Sequence, residues 1–375
     1  MSDSPDVIEA VTSSDPNRTY ARILTEHTTY WSVLRRLWVV AVPGDVAAVL
    51  AHPGCRVRPL AEPVPRALQG TRIGEVFSRL VRMNDGYAHA RGKAAVSKAL
   101  TSVDIEQARS TCRRLAKTLA PHDDLDRFQF ELPVMSVAHL LGVPDALLPR
   151  VIADTGHFVR ALSPAADRED CVQGNAATNR LGDILEVVLA GRAPWTLLFA
   201  LAQALAADGN VDPEVIVANA IGFLFQAHDA TAGLIGNTVV HLARNRDALN
   251  RAVPLYPQVE RLVGFVARDD ASVQNTRRFV AQDDTVNGMA FAEGDVVLVT
   301  LAAANSVSDD RSWSFGDGPH ACPGKALALM IAAVGVTELL ESEMVPRHIP
   351  EPVRYQPLPN ARIPEFASTF AQRNA

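Results

Sequence analysis

The sequence is poor in cysteine, lacks a long apolar run and carries no large charge of either sign. Its 375 residues hold four cysteines, Cys55, Cys112, Cys171 and Cys322, with no C-x-x-C pair and no framework spacing. That pattern argues against a disulfide scaffold and fits a reducing compartment with at most one working thiol. Lys and Arg number 36 against 42 Asp and Glu, a formal charge of −6, so nothing favours a nucleic-acid partner. No apolar run reaches the ~18–20 residues of a membrane span. The start, M-S-D-S-P-D-V-I-E-A, lacks the basic and apolar regions of a signal peptide, and the expectation is a cytoplasmic protein without a membrane partner.

What is present is the balance of a globular chain: 48% hydrophobic and 21% charged residues. Polar, Pro- and Ser-containing residues 1–18 read as a loosely held tail, and residues 19–375 as one domain. Leu37 to Val42 suggest short β segments, and Pro43-Gly44-Asp45 starts a helix. Residues 54–82 show no clean period and read as a long loop. Residues 87–100 form a helical pattern that puts His89 and Lys93 on one face. From 104 to 245 the patterning is almost wholly helical, with breaks expected at Pro121, Pro133, Pro144, Pro164 and Pro194. Its last part, 212–245, reads as one long helix.

The most informative stretch is F-G-D-G-P-H-A-C-P-G, Phe315 to Gly324, followed by an apolar helical pattern from Lys325. Glycines at 316, 318 and 324 permit turns closed to residues with a Cβ, so amide N–H groups can point at the Cys322 sulfur. The positive end of the following helix is expected to lower the thiol pKa, giving a soft sulfur ligand for a metal. The spacing F-x-x-G-x-H-x-C-x-G matches the haem-binding signature of the cytochrome P450 family. The chain resembles that family, in its soluble bacterial type, over roughly residues 30–370.

The resemblance implies a mainly α single domain with small β sheets and a buried haem b between the helices at 212–245 and 324–341. It makes Cys322 the axial iron ligand, with Phe315, Gly316 and Gly324 shaping the loop. His320, His89, Lys93 and Arg278 become the propionate donors, Lys93 standing where the family has an arginine, which forms a two-pronged contact. Residues of about 145–207 would cover the distal pocket and set substrate choice.

Three departures stand out. Q-A-H-D-A-T-A-G-L-I-G-N at 226–237 is similar to the family's A-G-x-E/D-T-T-x-x-L-I-G-N. Ala227 takes the small position against haem, Asp229 is the acid, and Ala230 replaces the usual threonine. Thr231 lies about 100° further round the helix and does not simply substitute. The acid–alcohol relay for protons is therefore incomplete, leaving a substrate hydroxyl, water from Asp229 or His228, or a reaction without reductive oxygen activation. The family's E-x-x-R falls on Phe265-V-A-Arg268, so the arginine has lost its glutamate. Only nine residues separate Asn305 from Phe315, so the usual meander and its arginine are missing. Arg268 is expected to turn to Asp269 or Asp270, or to solvent.

The function implied is a haem-thiolate monooxygenase acting on a small organic or secondary-metabolite intermediate, served by a ferredoxin and ferredoxin reductase if it uses dioxygen. Two alternatives stand beside it. One is haem-thiolate chemistry that is peroxide-driven or redox-neutral; the other is a non-catalytic auxiliary to a biosynthetic enzyme, against which Cys322 argues.

Overall fold

The computed structural model describes residues 6–26, 29–120, 124–207, 209, 212–250, 252–308 and 311–366. Fourteen α-helices occur among them. The first seven are α1 (Val7–Thr12), α2 (Pro16–Glu26), α3 (Pro43–Ala51), α4 (Arg72–Arg79), α5 (Gly86–Thr101), α6 (Ile105–Leu119) and α7 (Leu125–Leu141). The rest are α8 (Leu148–Leu162), α9 (Arg168–Ala190), α10 (Leu197–Ala206), α11 (Pro213–Arg244), α12 (Leu255–Asp269), α13 (Leu301–Ser306) and α14 (Lys325–Glu341). Strands β1 (Thr29–Ser32), β2 (Leu37–Val40), β3 (Cys55–Arg56), β4 (Thr276–Val280) and β7 (Val296–Val299) make one sheet in the order β1-β2-β7-β4-β3. Strands β5 (Asp284–Val286) and β6 (Met289–Phe291) form a hairpin. Its turn residues Asn287 and Gly288 both take positive φ, 49° and 82°, which matches the right-handed twist of the strands.

The expectation of a mainly α fold with small sheets holds. The backbone of the architecture is α11, started by Pro213 and capped by Asp212, whose side chain accepts the Glu214 N–H. It is buried over much of its 32 residues and packs on α7, α4, α12 and α14. The main core gathers side chains from α4 to α12 and α14, and a second core lies between the large sheet and α3. Among the described residues no helix is long and apolar enough to cross a membrane.

Several local expectations are corrected. The supposed tail is held from residue 6 onward. Asp6 caps α1 and pairs with Arg35 at 2.6 Å, while Val7, Ala10 and Val11 are buried. Their i, i+3, i+4 spacing is a helical apolar face that the polar flanks obscure. The supposed loop at 54–82 contains α4, because Thr71 accepts the Gly74 N–H as its cap and Ile73 and Val76 are buried. Pro133 does not break a helix but sits inside α7; burial of that helix against α11 outweighs the one backbone hydrogen bond a proline forfeits. Pro121 lies outside the described residues.

The short connection between Asn305 and Phe315 is held by side chains. Asn305, 2% exposed, accepts the Trp313 N–H at 2.7 Å and donates to Ser314 Oγ at 2.7 Å. Trp313 enters the second core, donates its indole N–H to Ser308 Oγ at 3.1 Å, and lies under the Arg311 guanidinium at 4.3 Å. The short connection is thereby tied on both sides of residues 309–310. Arg268 is exposed, and Asp270 accepts Arg362 Nε at 2.8 Å. Asp270 is thus engaged by a different arginine, one that also reaches back to the carbonyls of Val11 and Ser13. Phe265 is half exposed with its edge against His241.

Candidate functional site

The Cys322 loop is closed by backbone hydrogen bonds before any side chain acts. The Cys322 N–H donates to Phe315 O at 2.7 Å, Gly316 N–H to Trp313 O at 2.8 Å, and Ala321 N–H to Gly318 O at 3.1 Å. Gly316 and Gly318 sit at φ 67° and 60°, the left-handed region in which a side chain is strained. Gly324 does not share this: its φ is −90°, and an added Cβ would lie 3.9 Å from the Cys322 sulfur, ordinary contact. Its contribution is an N–H donated to that sulfur. Phe315 packs beside the main core under Lys325, 5.4 Å from its ring.

α14 begins two residues after Cys322's partner Pro323, as expected, but the thiol pKa does not fall. Burial pushes it up, and the Gly324 N–H with Lys93, Arg82 and Lys325 only partly counteract this. Protein surrounds the sulfur, which remains accessible through a cavity. A metal cation bound to the sulfur would reverse the balance, because coordination removes a thiol proton outright. Cys55 and Cys112 offer no competition: burial raises Cys55 to about 11 and Cys112 to about 12.

That cavity encloses about 1750 Å³, more than the ~300–1,000 Å³ typical of a single ligand pocket. It is lined by Cys322, Phe315, Gly316, His320 and Gly324 from the loop side and by Ala227 to Thr231 from α11. His89, Lys93 and Arg278 reach it as well. The sequence-derived site residues are therefore brought together around one space.

The cationic and imidazole groups at its edge are arranged as follows. His89 and His320 stack with centroids 3.9 Å apart. Burial, with His320 and Lys93 beside it, pushes His89 down to about 4, so its imidazole is neutral. His320 Nε2 lies 3.1 Å from Asp85 Oδ1, and Asp85 Oδ2 accepts the Val57 N–H. Burial raises the Asp85 carboxyl, but His320, Val57 N–H and Arg56 outweigh it and the net direction is down. Lys93 Nζ donates to the Ala321 carbonyl. Arg278 is 5% exposed; its Nη1 donates to Arg277 O at 2.9 Å, and its Nε has no partner.

These observations fit the haem that the resemblance implies. Arg278 is a buried cation that lines the cavity and has an orphaned Nε donor, a costly arrangement unless an anion lies beside it. Among the described residues no group of three or more His, Cys, Asp or Glu converges as a metal cage. A lone thiolate suits a metal that brings its remaining ligands with it.

On the α11 side, His228 Nδ1 and Asp229 Oδ1 are 2.7 Å apart, and the His228 ring packs on Phe130. Ala230 presents no hydroxyl, and Thr231 is 3% exposed. Sequence reasoning missed two members of the site. Asp85 orients His320, and Arg82 enters the cavity over the Phe225 ring at 5.5 Å. Arg82 ends the stretch 54–82 that reads as a loop and Asp85 falls between it and the helical pattern at 87–100, where no periodicity marks them.

No family model matches the chain. It is 25% identical over 290 residues to a putative cytochrome P450 of Xylella fastidiosa, covering 71% of this chain and 72% of that protein. To mycinamicin IV hydroxylase/epoxidase of Micromonospora griseorubida it is 28% identical over 332 residues, 81% of each. Among solved structures it is similar to CalO2, with a TM-score of 0.80 and 25% identity over 93% of this chain and 94% of that one.

Proposed function

The chain belongs to the cytochrome P450 family, whose cofactor is haem b on a cysteine thiolate, and on that premise we propose that it is a monooxygenase acting on a small biosynthetic intermediate. The observation that carries the proposal is Cys322, an exposed cysteine that faces the large cavity from a glycine-shaped loop at the start of α14. Support for a biosynthetic substrate comes from the likeness to mycinamicin IV hydroxylase/epoxidase.

In this reading Cys322 ligates the iron, while Arg278, Lys93, His89 and His320 receive the propionates. Neutral His89 offers a hydrogen bond without adding positive charge to its neighbour. When bound, the haem supplies the redox-active iron at which substrate oxidation occurs. The chain's own part is to position substrate against α11 and to manage protons. Asp229 and His228, 2.7 Å apart, are the groups placed to pass a proton. With alanine at 230, its onward path runs through ordered water or through a hydroxyl of the substrate. A ferredoxin and its reductase supply electrons.

Ala230 also favours a second reading, in which the protein performs haem-thiolate chemistry without an external reductant. Turnover separates the two. The first requires NAD(P)H, ferredoxin and reductase together; product formed at the same rate without them, or only with added peroxide, sinks it in favour of the second.

A further inference from the structure

Arg82 is used by none of the roles above. It lies in the 3-10 turn Val81–Met83 between α4 and α5, and that turn is fixed from two sides. Asn219 of α11 accepts the Val81 N–H at 2.8 Å and donates to the Arg79 carbonyl at 3.1 Å. Against α5, Val81 packs so closely on Gly92 that a Cβ there would come within 2.6 Å of it. Asn84 closes the turn from below, donating to the carbonyls of Ser78 and Leu80. The backbone of residue 82 is thus pre-positioned, and its side chain projects into the cavity.

The guanidinium lies over Phe225, surrounded by protein yet accessible through the cavity. Burial disfavours its charge and the Cys322 sulfur favours it. Among the described residues no carboxylate forms an ion pair with it. The other cavity arginines differ: Arg127 pairs with Glu131 and Arg160 with Asp170, whereas Arg277 and Arg278 are on β4, Arg278 with the propionate donors. Besides Phe225, the cavity wall carries the apolar side chains of Phe77, Val96 and Phe223. A cation that enters the cavity from a positioned backbone turn, with no carboxylate paired to it among the described residues, is half of a charge-assisted contact.

Resting on the proposed haem-thiolate reading, we propose that Arg82 binds a carboxylate of the substrate, so that the enzyme selects acids over neutral molecules of the same shape. Holding a carboxylate at residue 82 anchors one end of the substrate and leaves its apolar remainder along the α11 side of the cavity.

The test uses haem-loaded protein and calorimetric titration with a series of carboxylates, dodecanoate, 4-phenylbutyrate and an aromatic acid, each beside its methyl ester. Wild type is expected to bind the acids at least about tenfold more tightly than the esters, the weight of one charge-assisted hydrogen-bonded pair. Arg82→Gln abolishes the preference with ester affinity and haem content unchanged, and Arg82→Lys keeps part of it. The proposal is overturned if no acid in the series binds, if acids and esters bind alike, or if Arg82→Gln retains the preference. Loss of haem from Arg82→Gln overturns it too, by assigning Arg82 to a propionate. Failure of the underlying reading shows separately, as the lack of a thiolate spectrum in wild type.

Discussion

Replacing Asn305 by alanine should destabilise the protein and detach the short segment that leads into the Cys322 loop. Asn305 is 2% exposed and makes two side-chain hydrogen bonds of 2.7 Å, one accepting the buried Trp313 N–H and one donating to Ser314. Removing it leaves the Trp313 N–H orphaned, a penalty of about 1–3 kcal/mol. The Ser314 hydroxyl is half-buried and reaches water, so its loss adds about 0.5–1.5 kcal/mol. The expected total is about 1.5–4.5 kcal/mol, large against a typical native stability of ~5–15 kcal/mol. Denaturant unfolding measures it, and tryptophan emission locates it: Trp195 and Trp31 are already exposed, so a red shift reports Trp313 leaving its core. Asn305→Asp retains the acceptor and separates loss of the hydrogen bond from loss of the side chain. A variant within about 0.5 kcal/mol of wild type, with unshifted emission, would refute the claim that Asn305 holds the segment leading into the Cys322 loop.

Further outcomes follow from the site. Cys322→Ser should bind less haem and lose the thiolate signature in the carbon monoxide spectrum. Ala230→Thr should retain haem and alter the yield of product per electron pair consumed; loss of haem would contradict the α11 register. In the haem-free protein, His89 titrates near 4 against ~6.5 when unfolded. The unfolded chain therefore binds more protons between those values, and stability is full above pH ~6.5 and falls as pH drops towards 4. The loss from this residue is of order 2–3 kcal/mol, and His89→Gln should flatten the stability profile in that window; an unchanged slope would refute the assignment.

The parts of the fold that were legible in sequence share one property: their signals are local. The helix at 212–245 announces itself by length, a proline at its first turn and a continuous apolar pattern, and α11 follows it to within a residue or two. The Cys322 loop is fixed by glycines and a following helix within ten residues, so Phe315, His320 and Cys322 fall where their spacing placed them. Signals failed where burial comes from distant partners. Pro133 reads as a breaker until α11 packs along α7. Val7 and Ala10 look like tail residues until the sheet covers them. Asn305 reveals its role only beside Trp313, and Arg82 only when the cavity exists around it. The Cys322 pKa was misjudged for a related reason, since the helix end is visible in sequence whereas the desolvation that outweighs it is not.

The measurement that bears most directly on the whole account is the absorption spectrum of the purified protein, reduced with dithionite and exposed to carbon monoxide. The account predicts the long-wavelength Soret band of thiolate-ligated haem, lost in Cys322→Ser and retained in Ala230→Thr. A short-wavelength band, or a protein that takes up no haem, would contradict it.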